Sequence, residues 1–600
     1  MEGLYRLTET ALLLMSFWGY FFIVCRFGKV KNWFVPIVCM AGISLMLFFG
    51  GLLGILALAA DLALMGGLIG FIIFVVFLLR GKINAPKWSL CGGCFGVGAA
   101  VFLLLSLNLK LLHYDNFSHW ALIVKYLLST DHFPGVDTVM IPFRDYPPGS
   151  SVFIYYVCRF AGWSQGVMLL AQNSMIIACF YAVFGIVKEQ RRFLLYSFLG
   201  MGCALLSYLN LTIRINNLLV DFLLPLLAMA SAAVSFRYCR EKGKLCILQV
   251  ILLGFIGIVK STGVFFAGAA GIYALWMSVH TGKEDRKTES GKEDADKAVS
   301  FRRRGKIFGC GVLMLCGAAL PSLAWRRHLN IDMAGFEGKF EMGKAAGEYG
   351  APVGEELYGQ VTRDFLETSF DLSGRSAQVF FVCLILAVGA VLYAWFIMKK
   401  RWRLGNILTV GIVVVILYYA GMLYMYLYTM PAEEALRLAG FERYACSIMT
   451  LFAGVLIMGA AVDMEGSFAV DIDERGAYKA YSSPGAKRRY QYAVLGTVLL
   501  GVNFLYSEVN GLRSIRADYE TSLPGRVERA VGDRWYETGE TDEKTYLVVA
   551  SDENGQVSSG ETQYVCRYFL WAPNVDAMES VSGEELERLS VEYDRIIVLD

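Results

Sequence analysis

Charge is scarce in this chain. Asp, Glu, Lys and Arg together make up 18% of the 600 residues, whereas 56% are hydrophobic. A water-soluble fold of this length does not need so much apolar surface, because burial does not require every face of every helix to be apolar. Many apolar runs reach the ~20 residues with which a helix crosses a bilayer core. The composition therefore predicts a polytopic membrane protein.

Several familiar sequence features are also absent. The apolar run 10–25 is preceded by a single cation, Arg6, and lacks a small-residue cleavage site, so we expect a retained span and not a cleaved signal peptide. Cys91 and Cys94 form a CxxC without a second pair, which disfavours a structural zinc site. The other cysteines lie mostly in apolar runs and are interpreted as packing residues. No Walker-type loop occurs, so no coupling to a nucleotide is implied.

The apolar runs predict about fourteen membrane spans by their length. The spans are expected near 10–26, 34–58, 61–79, 89–110, 166–187, 193–212, 217–236, 246–260, 262–279, 307–323, 377–398, 405–428, 443–463 and 490–507.

Basic residues in the short loops orient these spans. Clusters such as Arg26 to Lys31, Arg237 to Lys244 and Lys399 to Arg403 all fall on one side, which the positive-inside rule assigns to the cytoplasm. Both termini are then extracytoplasmic. The mixed-charge stretch 283–306 falls on the cytoplasmic side and is expected to be a disordered loop. Its cluster Arg302-Arg303-Arg304 belongs at the membrane edge, so nothing indicates nucleic-acid binding.

Three larger pieces fall on the opposite side: the loop 111–165, the loop 325–376 and the C-terminal region. The last contains two strand-like runs, 545–550 and 595–599. The predicted fold is thus an all-α polytopic membrane protein with extracytoplasmic juxtamembrane helices and a small C-terminal α/β appendage, which is too short to stand without support from the membrane part. The expected division is a transmembrane extension at 1–88, a transmembrane core at 89–507 and the extracytoplasmic region at 508–600.

A polar island, Tyr114-Asp115-Asn116-Phe117-Ser118-His119-Trp120, follows the expected span at 89–110. Charged groups at a membrane are costly and are mostly retained for function. Asp115 and His119 are four residues apart and would share one face of a helix, with Trp120 anchored at the interface. A carboxylate there can accept the proton of an attacking hydroxyl. Asp is also a favoured N-cap, so capping of a surface helix stays an equal alternative.

A second polar element, Arg144-Asp145-Tyr146-Pro147-Pro148-Gly149, precedes the apolar stretch 152–160, which is too short to span comfortably. Pro-Pro favours a helix start, and we expect a helix lying along the membrane. Asp145 is a candidate second acid, and the loop 325–376 is expected to be a mobile polar cover.

An acid at the end of a span, a nearby aromatic residue and a short helix opened by Tyr146-Pro147-Pro148 resemble the GT-C class of membrane glycosyltransferases. That class includes protein O-mannosyltransferases and lipid A aminoarabinose transferases, and the resemblance covers about residues 89 to 465. It implies a polyprenyl-phosphate-linked sugar as donor and Asp115 as the base that activates the acceptor hydroxyl. Many relatives have two consecutive acids where this chain has Asp115-Asn116. Because Mg²⁺ and Mn²⁺ prefer carboxylate oxygens, we expect no metal cofactor, with a divalent metal as the alternative.

A departing lipid phosphate requires positive charge near the outer surface. Cations that meet this requirement occur in three separate segments, and snorkelling to the headgroups is the alternative for each. An acid within a span, Asp221, favours function more strongly. The candidate substrate-binding residues are His119, Trp120, Asp145, Tyr146, Arg214, Asn217, Asp221, Lys260, Glu442, Arg443 and Tyr444.

The expected function is transfer of a sugar from a polyprenyl-phosphate donor to a hydroxyl of a cell-envelope glycan, lipid or protein, at the outer face of the cell membrane. The expected partners are these substrates and membrane lipids. A secondary transporter or flippase of envelope precursors is an alternative, although the chain has no internal repeat. A glycan polymerase or ligase, or a catalytically inactive scaffold, would share the same topology.

Overall fold

Long apolar helices dominate the fold. The chain is described by a computed structural model that covers residues 2–83, 90–188, 192–213, 215–289, 296–336, 355–467, 484–550 and 559–599. Twelve of the described helices are long and apolar enough to cross a membrane. Two shorter apolar helices, Gly92–Ser106 and Leu223–Tyr238, occupy the positions of the expected spans at 89–110 and 217–236. The multi-pass helical architecture is therefore confirmed, although two of the fourteen expected spans fall below the length criterion.

The helices of the membrane part are numbered in chain order. They are α1 Glu2–Arg26, α2 Val35–Leu52, α3 Leu56–Leu79, α4 Leu90–Ser106, α5 Leu122–Thr130, α6 Gly149–Ala161, α7 Gln165–Phe184, α8 Phe193–Leu206, α9 Leu223–Tyr238, α10 Lys242–Val259, α11 Gly263–Glu289, α12 Asp296–Ile331, α13 Glu355–Phe370, α14 Arg375–Phe396, α15 Leu404–Tyr428, α16 Ala432–Leu436, α17 Phe441–Ser467 and α18 Pro484–Ala517. A π-helical turn at Asn116–Trp120 (the π-turn) precedes α5, and a 3-10 turn at Ser207–Ile213 follows α8.

The basic loops meet at one end of the helical bundle. The backbone N–H of Lys31 donates to the Tyr238 hydroxyl at 2.7 Å, and that of Lys188 donates to a Glu465 carboxylate oxygen at 2.7 Å. Helix α9 has 16 residues and is about 24 Å long. It nevertheless connects both ends of the bundle, because Tyr238 ends it at the basic loops and Asp221, just before it, pairs with Lys260 at the opposite end.

The short helix expected at 152–160 is present as α6, which begins directly after Pro148. It packs against α1, α2, α5, α7 and α10 and is buried along nearly its whole length, and its orientation along the membrane stays a prediction. A Cβ at Gly149 would lie 2.4 Å from the Ile258 carbonyl oxygen. Glycine therefore permits the start of α6 to touch α10.

The segment 325–376 was expected to be a mobile polar loop, and its described part is mostly helical. Helix α12 continues to Ile331, and α13 packs against α15 and α16. The expectation is wrong there because α13 buries Val361 and Phe365 against its neighbours. Residues 337–354 lie outside the described part of the chain.

The segment 283–306 was expected to be a disordered loop. Helix α11 instead continues through Glu289 and α12 begins at Asp296, while residues 290–295 are outside the described ranges. Charged residues are compatible with a solvated helix as well as with a loop, so composition alone did not separate the two.

The C-terminal region contains a small parallel sheet, which confirms the expected α/β elements. Its strands are β1 Tyr546–Ala550, β2 Val575–Met578 and β3 Arg595–Leu599, in the order β2-β1-β3. Tyr546 of β1 is paired with Val575 of β2 and with Arg595 of β3. Strand β2 was not anticipated, because its four residues form no apolar run. The elements are a 3-10 turn Tyr519–Thr521, α19 Leu523–Val531, α20 Arg534–Thr538, β1 Tyr546–Ala550, α21 Ser559–Leu570, β2 Val575–Met578, α22 Gly583–Leu589 and β3 Arg595–Leu599.

The two faces of β1 belong to different hydrophobic clusters. Tyr546 and Val548 join the core that is continuous with the membrane helices, whereas Leu547 and Val549 pack with Leu589 of α22. This alternation follows from the two-residue period of a strand. Helix α21 packs on β1 and β2 and also contacts the π-turn, so the sheet rests on the membrane part through α21.

Candidate active site

A cavity of about 920 Å³ lies where the polar island, the turn at Lys260, the start of α17 and the start of α21 meet. Most of the site residues expected from the sequence line it, although they come from distant parts of the chain. These residues are Asp115, His119, Trp120, Tyr146, Asp221, Lys260, Glu442, Arg443 and Tyr444.

Asp115 precedes the π-turn and faces the cavity. Its side chain makes no capping hydrogen bond, so the interpretation of Asp115 as a helix cap is wrong. Its Oδ2 atom instead accepts a hydrogen bond from the Arg443 guanidinium. The Asp115 side chain keeps 20% of its surface exposed. The carboxylate is therefore held by a cation and remains accessible from the cavity.

His113 is a neighbour of Asp115 that the sequence analysis missed. Its Nδ1 atom accepts a hydrogen bond from the Asp115 backbone N–H at 3.2 Å and lies 3.9 Å from Asp115 Oδ2. Burial lowers the pKa of His113, although Asp115 opposes the shift. Both observations indicate a neutral imidazole whose Nε2 carries the proton. A histidine two residues before the acid was the available signal.

Two carboxylates and two cations alternate along the cavity wall. Arg443 bonds Asp115 and places its Nε atom 3.6 Å from Asp221 Oδ2, while Lys260 Nζ lies 2.7 Å from Asp221 Oδ1. We call Asp115, Arg443, Asp221 and Lys260 the cavity charge chain. Between 8% and 20% of each side chain is exposed. The two cations can therefore meet an anionic ligand, in competition with the two carboxylates.

Tyr444 completes the cationic side of the cavity. Its hydroxyl accepts a hydrogen bond from Arg443 Nη2 at 3.0 Å, and Lys260 Nζ lies 5.3 Å from the centre of its ring. Contact with an aromatic face stabilises a cation without neutralising it. Tyr444 thus holds both cations in place and leaves their charge available.

Asn116 directly follows Asp115, and it does not line the cavity. It is fully buried, and its Nδ2 donates to the His113 carbonyl at 2.8 Å while its Oδ1 accepts from the Leu218 N–H at 2.8 Å. An amide can donate and accept at once, whereas a carboxylate only accepts. Asn116 therefore joins the polar island to the segment before α9.

Two amides on α7 hold the same irregular segment. Gln172 Nε2 donates to the Leu218 carbonyl at 3.2 Å and to the Leu219 carbonyl at 3.1 Å. Asn173 Nδ2 donates to the Ile215 carbonyl at 3.0 Å. Non-helical backbone among apolar helices needs such partners. Together these bonds fix the position of Asp221 at the cavity wall.

His119 contributes an uncharged ring to the opposite wall. It is 3% exposed, and burial lowers its pKa to about 3. Neither ring nitrogen has a hydrogen-bond partner in the described structure, and both are covered by protein atoms. Its ring centre lies 4.9 Å from those of Trp120 and Tyr146 and 6.3 Å from that of Phe143. His119 is therefore an uncharged member of an aromatic wall.

Four of the expected residues have other surroundings or roles. Glu442 lines the cavity, but its carboxylate accepts hydrogen bonds from the Ser376 N–H at 2.7 Å and hydroxyl at 2.8 Å, which anchors the start of α14. Asn217 lines a small recess beside the cavity. Asp145 is absent from the lining, and its carbonyl accepts from Trp325 Nε1 at 3.0 Å. Arg214 lies outside the described residues.

Other lining residues had no signal in the sequence. Helix α21 of the C-terminal region contributes Gly560, Glu561 and Tyr564, and α13 contributes Thr368. Among the described residues, no group of three or more His, Cys, Asp or Glu is arranged to hold a metal ion.

Comparisons of the chain with protein-family models, with curated proteins and with solved structures found no match.

Proposed function

We propose that this protein is a membrane glycosyltransferase that moves a sugar from a polyprenyl-phosphate donor to a hydroxyl of a cell-envelope acceptor. The basic end of the bundle is then cytoplasmic, and the cavity and both termini are on the outer side. The observation that carries the proposal is the cavity charge chain, in which an accessible carboxylate, Asp115, is paired with Arg443 and lines the same cavity as a second cation, Lys260.

The reaction assigns a role to each of these groups. The acceptor oxygen attacks the anomeric carbon of the sugar, and Asp115 takes the hydroxyl proton. The bond between that carbon and the phosphate oxygen breaks, and its electron pair stays on the phosphate. Arg443 and Lys260 stabilise the negative charge that develops there. Because these cations supply the positive charge that the leaving group needs, we propose a reaction without a metal ion.

Asp115 and Arg443 form an ion pair at the cavity wall. A donor phosphate competes with Asp115 for the Arg443 guanidinium, since Arg binds both anions through the same N–H groups. Binding of the donor would then release the carboxylate towards the acceptor. This order of events assembles the base only when a sugar is present.

Envelope glycans measured by mass spectrometry test the proposal. We would compare cells with the native protein, with none, with Asp115→Asn and with Asp137→Asn, each at equal membrane levels. Asp137 is an exposed acid of the same outer segment and serves as the matched control. We expect Asp115→Asn to lose the same sugar as the deletion, because general-base catalysis contributes about 10²–10⁴-fold.

Two results would count against the proposal. If Asp115→Asn makes native glycans while the deletion does not, Asp115 is not the base, and a transporter or flippase of envelope precursors explains the phenotype better. If the deletion changes no glycan, the transferase assignment itself fails.

A further inference from the structure

We propose that the C-terminal region, residues 518–599, recognises the acceptor, and that Glu561 and Tyr564 bind a neutral, hydroxyl-rich saccharide. This inference rests on the transferase function proposed above. It is argued from the way the region is docked and from the distribution of charge in the cavity.

A buried lysine fixes the region on the membrane part. Lys125 of α5 is fully buried, and its Nζ lies 2.9 Å from both carboxylate oxygens of Asp533 and 3.1 Å from the Tyr568 carbonyl. The ring centre of Tyr568 is 3.5 Å from the same Nζ, and those of Trp163 and Trp535 are within 5.6 Å. We call Lys125 and Asp533 the sealed pair. All three donor positions of the ammonium are occupied, so the pair defines one docked position.

The docking surface is continuous with the proposed catalytic base. Phe117 lies in the π-turn two residues after Asp115, and its ring centre is 5.0 Å from that of Tyr568 and 5.7 Å from that of Phe569. Trp535 Nε1 also donates to the Ser129 hydroxyl at 2.6 Å. The packing that holds α21 therefore also holds the turn that follows Asp115.

The cavity is divided by charge. Both cations of the cavity charge chain belong to the membrane part, whereas α21 contributes only Gly560, Glu561 and Tyr564 to the lining among the described residues. The membrane part also lines the cavity with Arg437 and with several carboxylates, so the difference lies in the hydrogen-bond donors: it supplies the cationic N–H groups that bind a phosphate, whereas the charged group of α21, Glu561, repels one. This difference assigns the donor phosphate to the membrane side and the acceptor to the side of α21.

The residues on α21 suit a saccharide. A carboxylate accepts hydrogen bonds from hydroxyls, and a phenol can accept and donate. The ring of Tyr564 is half-buried and lies 6.3 Å from that of Phe143, so the two rings form a surface for the apolar face of a sugar. The charged group that the described residues of this wall supply is an acid, which disfavours a phosphorylated acceptor.

Two measurements on the full-length protein test the inference. Binding at the donor's phosphate site is measured by photo-labelling with a polyprenyl phosphate, the leaving group of the proposed reaction, that carries a photoreactive group. Transfer is measured by mass spectrometry of envelope glycans. We would compare Tyr564→Ala and Glu561→Gln with Glu585→Gln, an exposed control on α22. Resistance of the C-terminal region to trypsin reports whether it is docked.

We expect Tyr564→Ala and Glu561→Gln to keep labelling within about twofold of native and to lower the glycan product about tenfold or more, the effect of losing a stacking ring or a hydrogen bond to a charged group. Glu585→Gln should change neither. Unchanged product in both variants overturns the inference, as does labelling that falls as steeply as the product. Loss of trypsin resistance in Glu561→Gln, an isosteric change, would show that Glu561 supports docking and would also overturn it.

Failure of the proposed function looks different. In that case the native protein itself takes no label and its deletion leaves the glycans unchanged. The variants therefore bear on acceptor recognition only when the native protein passes both measurements.

Discussion

Two clusters of charged side chains at the same end of the bundle use similar residues in opposite ways. The cavity charge chain alternates Asp115, Arg443, Asp221 and Lys260, and each member retains some contact with the cavity. The sealed pair joins a fully buried Lys125 to Asp533 under aromatic rings. An anion in the cavity can replace a carboxylate in the first cluster, whereas Lys125 is fully buried and neither member of the sealed pair lines the cavity. Access to the cavity, and not the type of residue, separates a binding site from a docking contact.

The energetics of the two clusters differ for the same reason. Burial lowers the pKa of Lys125 to about 8 even though Asp533 opposes the shift, and burial raises the pKa of Asp533 even though Lys125 opposes that shift. The cost of removing these charges from water thus exceeds what their attraction returns. The sealed pair specifies where the C-terminal region docks, and the stability of docking comes from the surrounding apolar contacts.

The largest effect is expected from breaking the sealed pair. Asp533→Leu leaves the Lys125 charge buried without its partner and should lower the free energy of unfolding of the C-terminal region by about 3–5 kcal/mol. The double variant Lys125→Met/Asp533→Leu should recover to within about 1 kcal/mol of native, since similar replacements are often neutral. Both free energies of unfolding are obtained from the resistance of the C-terminal region to trypsin, measured as a function of urea concentration. A double variant as unstable as the single one would show that the charges themselves hold the region.

The matching change in the cavity charge chain is Arg443→Gln. It should lower glycan transfer about 10²–10³-fold, because the proposed reaction loses a group that stabilises the leaving phosphate. Its effect on thermal stability should be smaller than that of Asp533→Leu, because Asp115 still faces the cavity and Asp221 keeps Lys260. Transfer and melting temperature would be measured on one preparation. Equal losses of stability in Arg443→Gln and Asp533→Leu would remove the distinction between the clusters.

Asn116→Asp should have an intermediate effect, although it introduces a second acid next to Asp115. The new carboxylate is buried and cannot donate to the His113 carbonyl, so we expect a loss of about 1–3 kcal/mol in stability. Asn574→Asp is the control, because Asn574 also donates to a carbonyl but is exposed. Thermal unfolding of the two variants gives the difference. A stable Asn116→Asp with raised transfer would mean that a second acid serves catalysis here.

The sequence predicted the helical architecture because long apolar runs can form little else in a membrane. The irregular backbone before α9 could not be predicted in this way. Residues 215–222 adjoin an apolar run and could extend a span, yet they are irregular, and Asn116, Gln172 and Asn173 bind their backbone. Amides that pair across distant helices leave no periodic signal.

The candidate site was predictable to a similar degree. Asp115, Asp221, Lys260 and Arg443 stood out because charge is rare near apolar runs, and the structure brings all four together. Glu561 and Tyr564 did not stand out, because polar residues are ordinary in a small α/β region. Their place in the cavity depends on the docking of the C-terminal region through the pair of Lys125 and Asp533. These two residues are far apart in the sequence and meet only in the folded structure.

The smallest effect at neutral pH is expected at His119, which has neither the access of the cavity charge chain nor the partners of the sealed pair. Because both ring nitrogens are buried without partners, His119→Leu should change stability by no more than about 1 kcal/mol at pH 7.5, and in the stabilising direction if at all.

Lowering the pH should increase the difference in stability between His119→Leu and the native protein. The unfolded chain binds a proton at His119 near pH 6.5, whereas the folded chain does so only near pH 3. The unfolded state therefore holds more protons between these values. As the pH is lowered through this window, the free energy of unfolding of the native protein decreases by up to about 1.4 kcal/mol per pH unit. The Leu variant lacks this contribution, so unfolding curves at pH 7.5 and pH 5 should diverge by about 2 kcal/mol in its favour. An equal difference in stability between the two proteins at both pH values would mean that the folded protein stabilises the protonated form of His119. His119 would then belong with the groups that a ligand can reach.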